Sequence, residues 1–405
     1  MKNVKTLIIF LLFPIVSVAC RTGINASTIE PSPPVSPTLA VTTTKLFEPT
    51  QQADSTFEPT FTSTAEILPT DHELLIPTLI PPVEPTQISS SSRQIAFVSE
   101  IALNAYQIHI MSVDDRNVDL LTHGNLNFSA PSWSPNGQKI LFQSSRQGSP
   151  LGEDIWIMNT DSTEQLNLTN DFAYNSSPDW SPDSQRIVFS SERDGNAEIY
   201  VINADGSGRI RLTNNSASDS NPVWSPDNKT VAFVSDHSGK REIYTMQADG
   251  SNVVQLTQSI EGAYSPQWSS SGKQIVFIMD NAIWIMQSDG TTQHRISANV
   301  NVTLPTLEWS PNDQQVIFTG TGSKDIYSNV YLIDVEDDNL FRLTDDSQPY
   351  TSGSFSPDGT LVAISGGEYL AVYDLYIINL ETLETTRLTD NSVLDCCPVW
   401  RPANP

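Results

Sequence analysis

From Gln94 onward, short apolar runs of four to six residues alternate with polar stretches rich in Pro, Gly, Asn and Asp. The runs from Arg186 to Phe189 and from Glu198 to Asn203 are typical: Ile, Val, Phe and Tyr dominate, and no helical spacing is present. Runs of this length and composition, bounded by turn formers, predict antiparallel strands. Asp205 with Gly206, Asp249 with Gly250 and Asp289 with Gly290 fall between such runs. They suit tight turns, because glycine adopts positive φ at little cost and aspartate tolerates it.

The cycle repeats along the chain. An aromatic residue precedes the turn "SP" or "SS", or a close variant, at Trp133, Trp180, Trp224, Trp268, Trp309, Phe355 and Trp400, at steps of 47, 44, 44, 41, 46 and 45 residues. Each step predicts four strands: one ending on the aromatic, two apolar ones, and one closing on Leu-Thr. Four-stranded units of about 45 residues are the size of propeller blades. The first unit lacks its first strand, having only Gln94 to Ser99, Tyr106 to Met111 and Val118 to Thr122, whereas Pro398 to Trp400 is a first strand left over. Pairing the two ends predicts an all-β, seven-bladed propeller over residues 91–405, closed by the C-terminal strand and leaving no large open edge.

The signature "SPDWSPDSQRIVF", "RDGNAEIYVINADGS" and the closing Leu212 and Thr213, with its six further copies, resembles the TolB-type, WD-like β-propeller repeat. The resemblance covers about Ser91 to Pro405. It implies a propeller that serves as a binding platform in some members and as a substrate-gating domain in certain peptidases. The α/β domain found N-terminal to the propeller in that family has no counterpart; a signal sequence and a linker stand in its place, which counts against membership of the Tol machinery.

The opening "MKNVKTLIIFLLFPIVSVAC" places Lys2 and Lys5 before an apolar run from Leu7 to Val16, the layout of a secretory signal peptide over residues 1–19. Its end reads in two ways. Ser17 and Ala19 are small residues acceptable to an ordinary signal peptidase, while Ala19-Cys20 resembles the junction of a bacterial lipoprotein, although Ser17 stands where that motif has Leu. Lipidation of Cys20 is the expectation, since a polar tether follows; it would hold the protein on the extracytoplasmic side of a membrane, facing the periplasm or the cell surface. Residues 27–90 contain eleven Pro, thirteen Thr and seven Ser. Such a stretch buries too little to fold, so residues 20–90 are expected to be a disordered tether.

Charge narrows the partners. The chain carries a net charge of −26, and from Ser91 onward 39 Asp and Glu oppose 17 Lys and Arg. Nucleic acid and anionic membrane surfaces require a basic face, so membrane contact is expected only through the N-terminal lipid. A protein, peptide or glycan partner is expected, basic rather than acidic. Adjacent Cys396 and Cys397 could form a strained vicinal disulfide or remain two thiols, the latter being favoured.

Catalytic chemistry is not apparent. No "G-x-S-x-G" elbow and no downstream hydrolase domain follow the last blade, which argues against the peptidase relatives. Of His109, His123, His237 and His294, only His123 and His237 fall on one face, in separated blades, so no metal site and no cofactor are expected. The "ADGS" segments lack the further acidic ligands of a calcium loop. Arg193 with Glu198, and Arg146 with Asp154, read as ion pairs bracing the loop between second and third strands.

In a four-stranded meander the loops leading into the innermost strand ring the mouth of the channel. These carry Phe128, Tyr174, Tyr264 and Tyr350, with Asp171, Asp219, Glu261, Asp345, Asp346 and Asp395 nearby. Aromatic rings beside carboxylates at a concave mouth suit recognition; packing between blades is the competing role for the rings. The expected function is a membrane-tethered, non-enzymatic binding or scaffold module, the alternative being a propeller enzyme acting on carbohydrate as a lyase or hydrolase, with or without a metal.

Overall fold

The structure is a computed structural model that describes residues 93–102, 105–124, 126–145, 153–296, 300–345, 347–367 and 372–403. Cys20, the stretches 1–19 and 20–90, Arg146 and Asp346 lie outside them.

Among the described residues, twenty-eight strands form seven four-stranded antiparallel sheets. Blade two comprises Asn127–Trp133, Lys139–Ser145, Glu153–Asn159 and Leu166–Asn167, each strand paired with the next. Blade three (Asn175–Trp180, Arg186–Ser191, Glu198–Asn203, Ile210–Arg211) and blade four (Asp219–Trp224, Thr230–Ser235, Glu242–Gln247, Val254–Gln255) repeat this order. So do blade five (Ala263–Trp268, Gln274–Met279, Ala282–Gln287, His294–Arg295), blade six (Val300–Trp309, Gln315–Gly322, Asn329–Asp334, Leu340–Arg342) and blade seven (Tyr350–Phe355, Leu361–Gly366, Asp374–Asn379, Thr385–Arg387).

Blade one closes the ring. Its innermost strand is Asp395–Trp400, paired with Gln94–Ala102, and Ala105–Ser112 and Val118–Leu120 follow. Ile95 stands opposite Trp400 and Ser99 opposite Asp395. The indole N–H of Trp133 in blade two donates to the Val399 carbonyl at 3.1 Å, tying the closing strand to the next blade.

The core lies between blades. Phe97, Phe142, Phe189, Phe233, Phe277 and Phe318 occupy one position on successive second strands and are fully buried. Trp180 shares a cluster with Leu141 and Ile155 of blade two and with Ile187 and Phe189 of its own blade. Each such side chain contributes about 1.5–3 kcal/mol by leaving water.

Within blades, the Thr that closes the fourth strand locks the third. Thr122, Thr169, Thr213, Thr257, Thr344 and Thr389 accept the backbone N–H of Ile108, Ile155, Ile199, Ile243, Val330 and Leu375 at 2.9–3.2 Å. The recurring Leu-Thr of the sequence is therefore a buried clasp, and the outer strand stays short, a form that resists edge-to-edge pairing.

The innermost strands carry a bulge. Ala130, Ser177, Asn221, Ser265 and Cys397 have φ of 49°, 50°, 51°, 55° and 61°, each directly before a proline. Register shifts at these places mark two residues opposing one. Proline lacks an N–H and so suits a strand whose free edge lines the channel.

Candidate functional site

The loops from fourth to first strands, together with those from second to third, form one face of the ring. Register decides which of the expected side chains reach it. Phe128, Asp219, Tyr350 and Asp395 share one position on their strands, opposite Ser144, Ser235, Gly366 and Ser99. They are only 5, 1, 7 and 1 % exposed. Phe128 packs edge-on to Phe142, Tyr350 edge-on to Tyr376, and Gly366 leaves room for the Tyr350 ring. These four are core groups rather than mouth groups, because alternate residues of a strand face opposite sides and this side meets the neighbouring blade. Asp219 accepts from Asn215 Nδ2 at 2.8 Å and Asp395 from Asn391 Nδ2 at 2.7 Å; burial raises the Asp219 carboxyl above its ordinary range.

Tyr264 lies one position further along its strand and Tyr174 one residue before Asn175, and both are half-buried. Burial, then the charges of Glu153 and Glu192, push the Tyr174 phenol upward; burial does the same to Tyr264. Glu261 and Asp345 are exposed. Asp345 is engaged locally, accepting from the Ser347 hydroxyl at 2.6 Å and the Tyr350 hydroxyl at 3.2 Å. Glu261 accepts from Asn281 Nδ2 at 3.2 Å.

Asp171 is committed to structure. Its Oδ2 lies 3.0 Å from Arg193 Nη2, and its Oδ1 accepts from Asn175 Nδ2 at 3.0 Å. Arg193 lies over the rings of Phe189 and Tyr200 and donates to Ser191 Oγ and Asn175 Oδ1. The expected pairing of Arg193 with Glu198 is thus replaced: Arg193 reaches back to the loop entering its blade, and Glu198 pairs with Arg211 at 2.9 Å.

Four side chains were not anticipated. Gln143 stands where the other second strands place Val98, Ser190, Val234, Ile278, Thr319 and Ser365, and its Nε2 donates to Glu153 Oε2 at 2.9 Å. Burial pushes the Glu153 carboxyl up to about 7, despite that hydrogen bond. The large amide among small or apolar residues was the available signal. Phe172 and Ile260, at corresponding loop tips, are 85 and 78 % exposed.

Between the innermost strands of blades two to five, Ser132, Ser177, Asn221, Ser265 and Gln267 line a polar cavity of about 70 Å³, space for roughly two waters. Among the described residues no cluster of three or more His, Cys, Asp or Glu has a metal-holding arrangement. Cys396 is a free, buried thiol, so it is not joined to Cys397, and burial raises it far above the ordinary thiol range.

Several solved structures share the fold. TolB from Acinetobacter baumannii aligns with a TM-score of 0.51 at 20 % identity, covering 77 % of this chain and 67 % of its own. The oligogalacturonate lyase of Vibrio parahaemolyticus gives 0.56 at 13 % identity, covering 73 % and 96 %. A puromycin hydrolase mutant complexed with PGG gives 0.60 at 11 % identity, covering 75 % and 54 %. At these identities the likeness is one of fold, shared by TolB, a hydrolase and a lyase. No curated sequence matches. The family model of the TolB beta propeller domain matches residues 86–325, more than half of the sequence, and the chain therefore belongs to the TolB β-propeller family.

Proposed function

We propose that this propeller is a non-enzymatic binding module, exported, held outside the cytoplasm by a lipid on Cys20 and a tether over residues 20–90, and used to capture a basic protein or peptide at the mouth. The observation that carries this reading is the composition of the loop tips. Exposed Phe172 and half-buried Tyr174 on the loop into blade three, exposed Ile260 and Glu261 with half-buried Tyr264 on the loop into blade five, and exposed Asp345 on the loop into blade seven all lie on this face. Apolar and aromatic anchors supply contact energy, and surrounding carboxylates supply steering and partner choice.

Photo-crosslinkers placed at positions 261 and 345, compared with the same label at 205 and 249 in the turns of the opposite face, test the reading in native envelopes. Adducts confined to the mouth, weakened by salt and lost in Tyr174→Ala/Tyr264→Ala, are expected. Equal labelling of both faces would overturn it. Cys20→Ser tests the anchor separately: the protein should move from the membrane to the soluble fraction with its propeller intact.

A further inference from the structure

Blade four departs from blades three and seven at a buried carboxylate. Four blades place an acidic residue at the same position near the start of the third strand, Asp154, Glu198, Glu242 or Asp374, and all four are buried. In each, the Thr closing the fourth strand donates to it: Thr169 at 2.9 Å, Thr213 at 2.5 Å, Thr257 at 2.6 Å and Thr389 at 3.3 Å. Blades three and seven then add a cation from the fourth strand. Arg211 Nη2 lies 2.9 Å from Glu198 Oε1, and Arg387 Nη2 lies 2.5 Å from Asp374 Oδ2.

The corresponding residue of blade four is Gln255. It faces Tyr244 as Arg211 faces Tyr200 and Arg387 faces Tyr376. Gln255 reproduces half of the arginine. Its Nε2 donates to the Thr257 carbonyl at 2.7 Å, as Arg211 Nε donates to the Thr213 carbonyl at 2.7 Å, but it makes no bond to Glu242. Besides Thr257, the donors to Glu242 among the described residues are neutral, the Ser259 N–H and hydroxyl, both at 2.7 Å. Two further exchanges open the space: Ser238 stands where blade three has Asp194, and Lys240 where it has Asn196. Asn196 donates to Glu198 at 3.0 Å, whereas the Lys240 ammonium turns outward to the Ile260 carbonyl. These residues border a cavity of about 710 Å³, lined by Ser238, Lys240, Glu242, Gln255, Thr257 and Ser259 among others.

We propose that this cavity is a binding site for the guanidinium of an arginine side chain on a partner peptide or protein, with Glu242 as its counter-ion. The incoming group would occupy the place that Arg211 and Arg387 fill from within their own blades. A buried carboxylate supported by neutral donors has already lost its water, so a charge-assisted bond to it gains more than the same bond at the surface. A planar guanidinium can bond Glu242 and the side-chain or backbone acceptors around it together, which a compact ammonium does not match. The site is carried by the comparison between blades and is independent of the reading of the mouth.

The full-length protein is titrated by ligand-observed NMR with N-acetyl-arginine amide and with its uncharged isostere, N-acetyl-citrulline amide. Saturable binding of the arginine amide, at least tenfold tighter than that of the citrulline amide, is expected. Gln255→Arg, which supplies the cation internally, and Glu242→Gln, which removes the charge, should each weaken it at least tenfold. Tyr174→Ala/Tyr264→Ala should bind the amide like wild type, which separates this site from the mouth. Absence of saturable binding, equal affinity for citrulline amide, or undiminished binding in folded Gln255→Arg or Glu242→Gln would overturn the proposal.

Discussion

Asp313, in the turn after the innermost strand of blade six, accepts the backbone N–H of Ser270 in blade five at 2.6 Å, and its other oxygen accepts the Ser271 N–H at 2.8 Å. Its own backbone is left-handed, with φ of 59°. Gly137, Gly272 and Gly359 hold the matching conformation in other blades, with φ of 65°, 69° and 71°. A non-glycine residue here accepts backbone strain and gains a bridge between blades. Ser184, with φ of 60°, does likewise, accepting the Asn136 N–H of the preceding blade at 3.1 Å. Asp313→Gly relieves the strain but loses the bridge, while Asp313→Ala keeps the strain and loses the bridge. Chemical denaturation should therefore rank wild type above Asp313→Gly and Asp313→Gly above Asp313→Ala, the last two differing by about 1 kcal/mol. The reverse order of the two variants would remove the strain argument.

Trp180→Ala should destabilise the propeller by about 3–5 kcal/mol, because the indole is buried between blades two and three and the backbone around it cannot collapse into the space. A loss below about 1 kcal/mol in equilibrium unfolding would contradict that packing.

Glu153 links stability to pH. Its carboxyl titrates near 7 in the fold, against an ordinary value of 4.5, so between those values the folded chain holds a proton that the unfolded chain has released. Stability from this group is therefore fully present below about pH 4.5, falls as the pH rises through 7, and is level above. Glu153→Gln keeps an acceptor for Gln143 and removes the titration. The variant should gain on wild type as the pH rises, reaching about 3 kcal/mol at pH 8. A stability difference that stays constant from pH 4 to 8 would show that the carboxyl titrates normally.

Removal of residues 395–405 takes away the innermost strand of blade one. It strips the partners of Ile95, Ala96, Val98 and Ser99 and the acceptor of the Trp133 indole. The unfolding transition should broaden and its midpoint fall, since a ring opened at one blade exposes a strand edge and two blade faces. A truncated chain that melts as sharply and as high as the full chain would refute closure by this strand.

Blade number, strand order and the manner of closure were legible in the chain because they follow from repetition. Trp133 through Trp400 fix a period, short Ile- and Val-rich runs fix the element type, and the unmatched strand at each end can satisfy its backbone only by pairing with the other. Side-chain destinations at the mouth followed a different rule. Tyr350 and Tyr264 precede their repeat aromatics by five and four residues, a difference too small to weigh in a linear reading, yet one residue turns a side chain to the other side of its strand. The former joins the core and the latter stays half-exposed. Likewise Glu198 and Glu242 are read alike from their segments, "AEIYVI" and "REIYTM". Only the fold brings Arg211 to one and Gln255 to the other, because that partner arrives from a fourth strand thirteen residues away whose register is set by the blade.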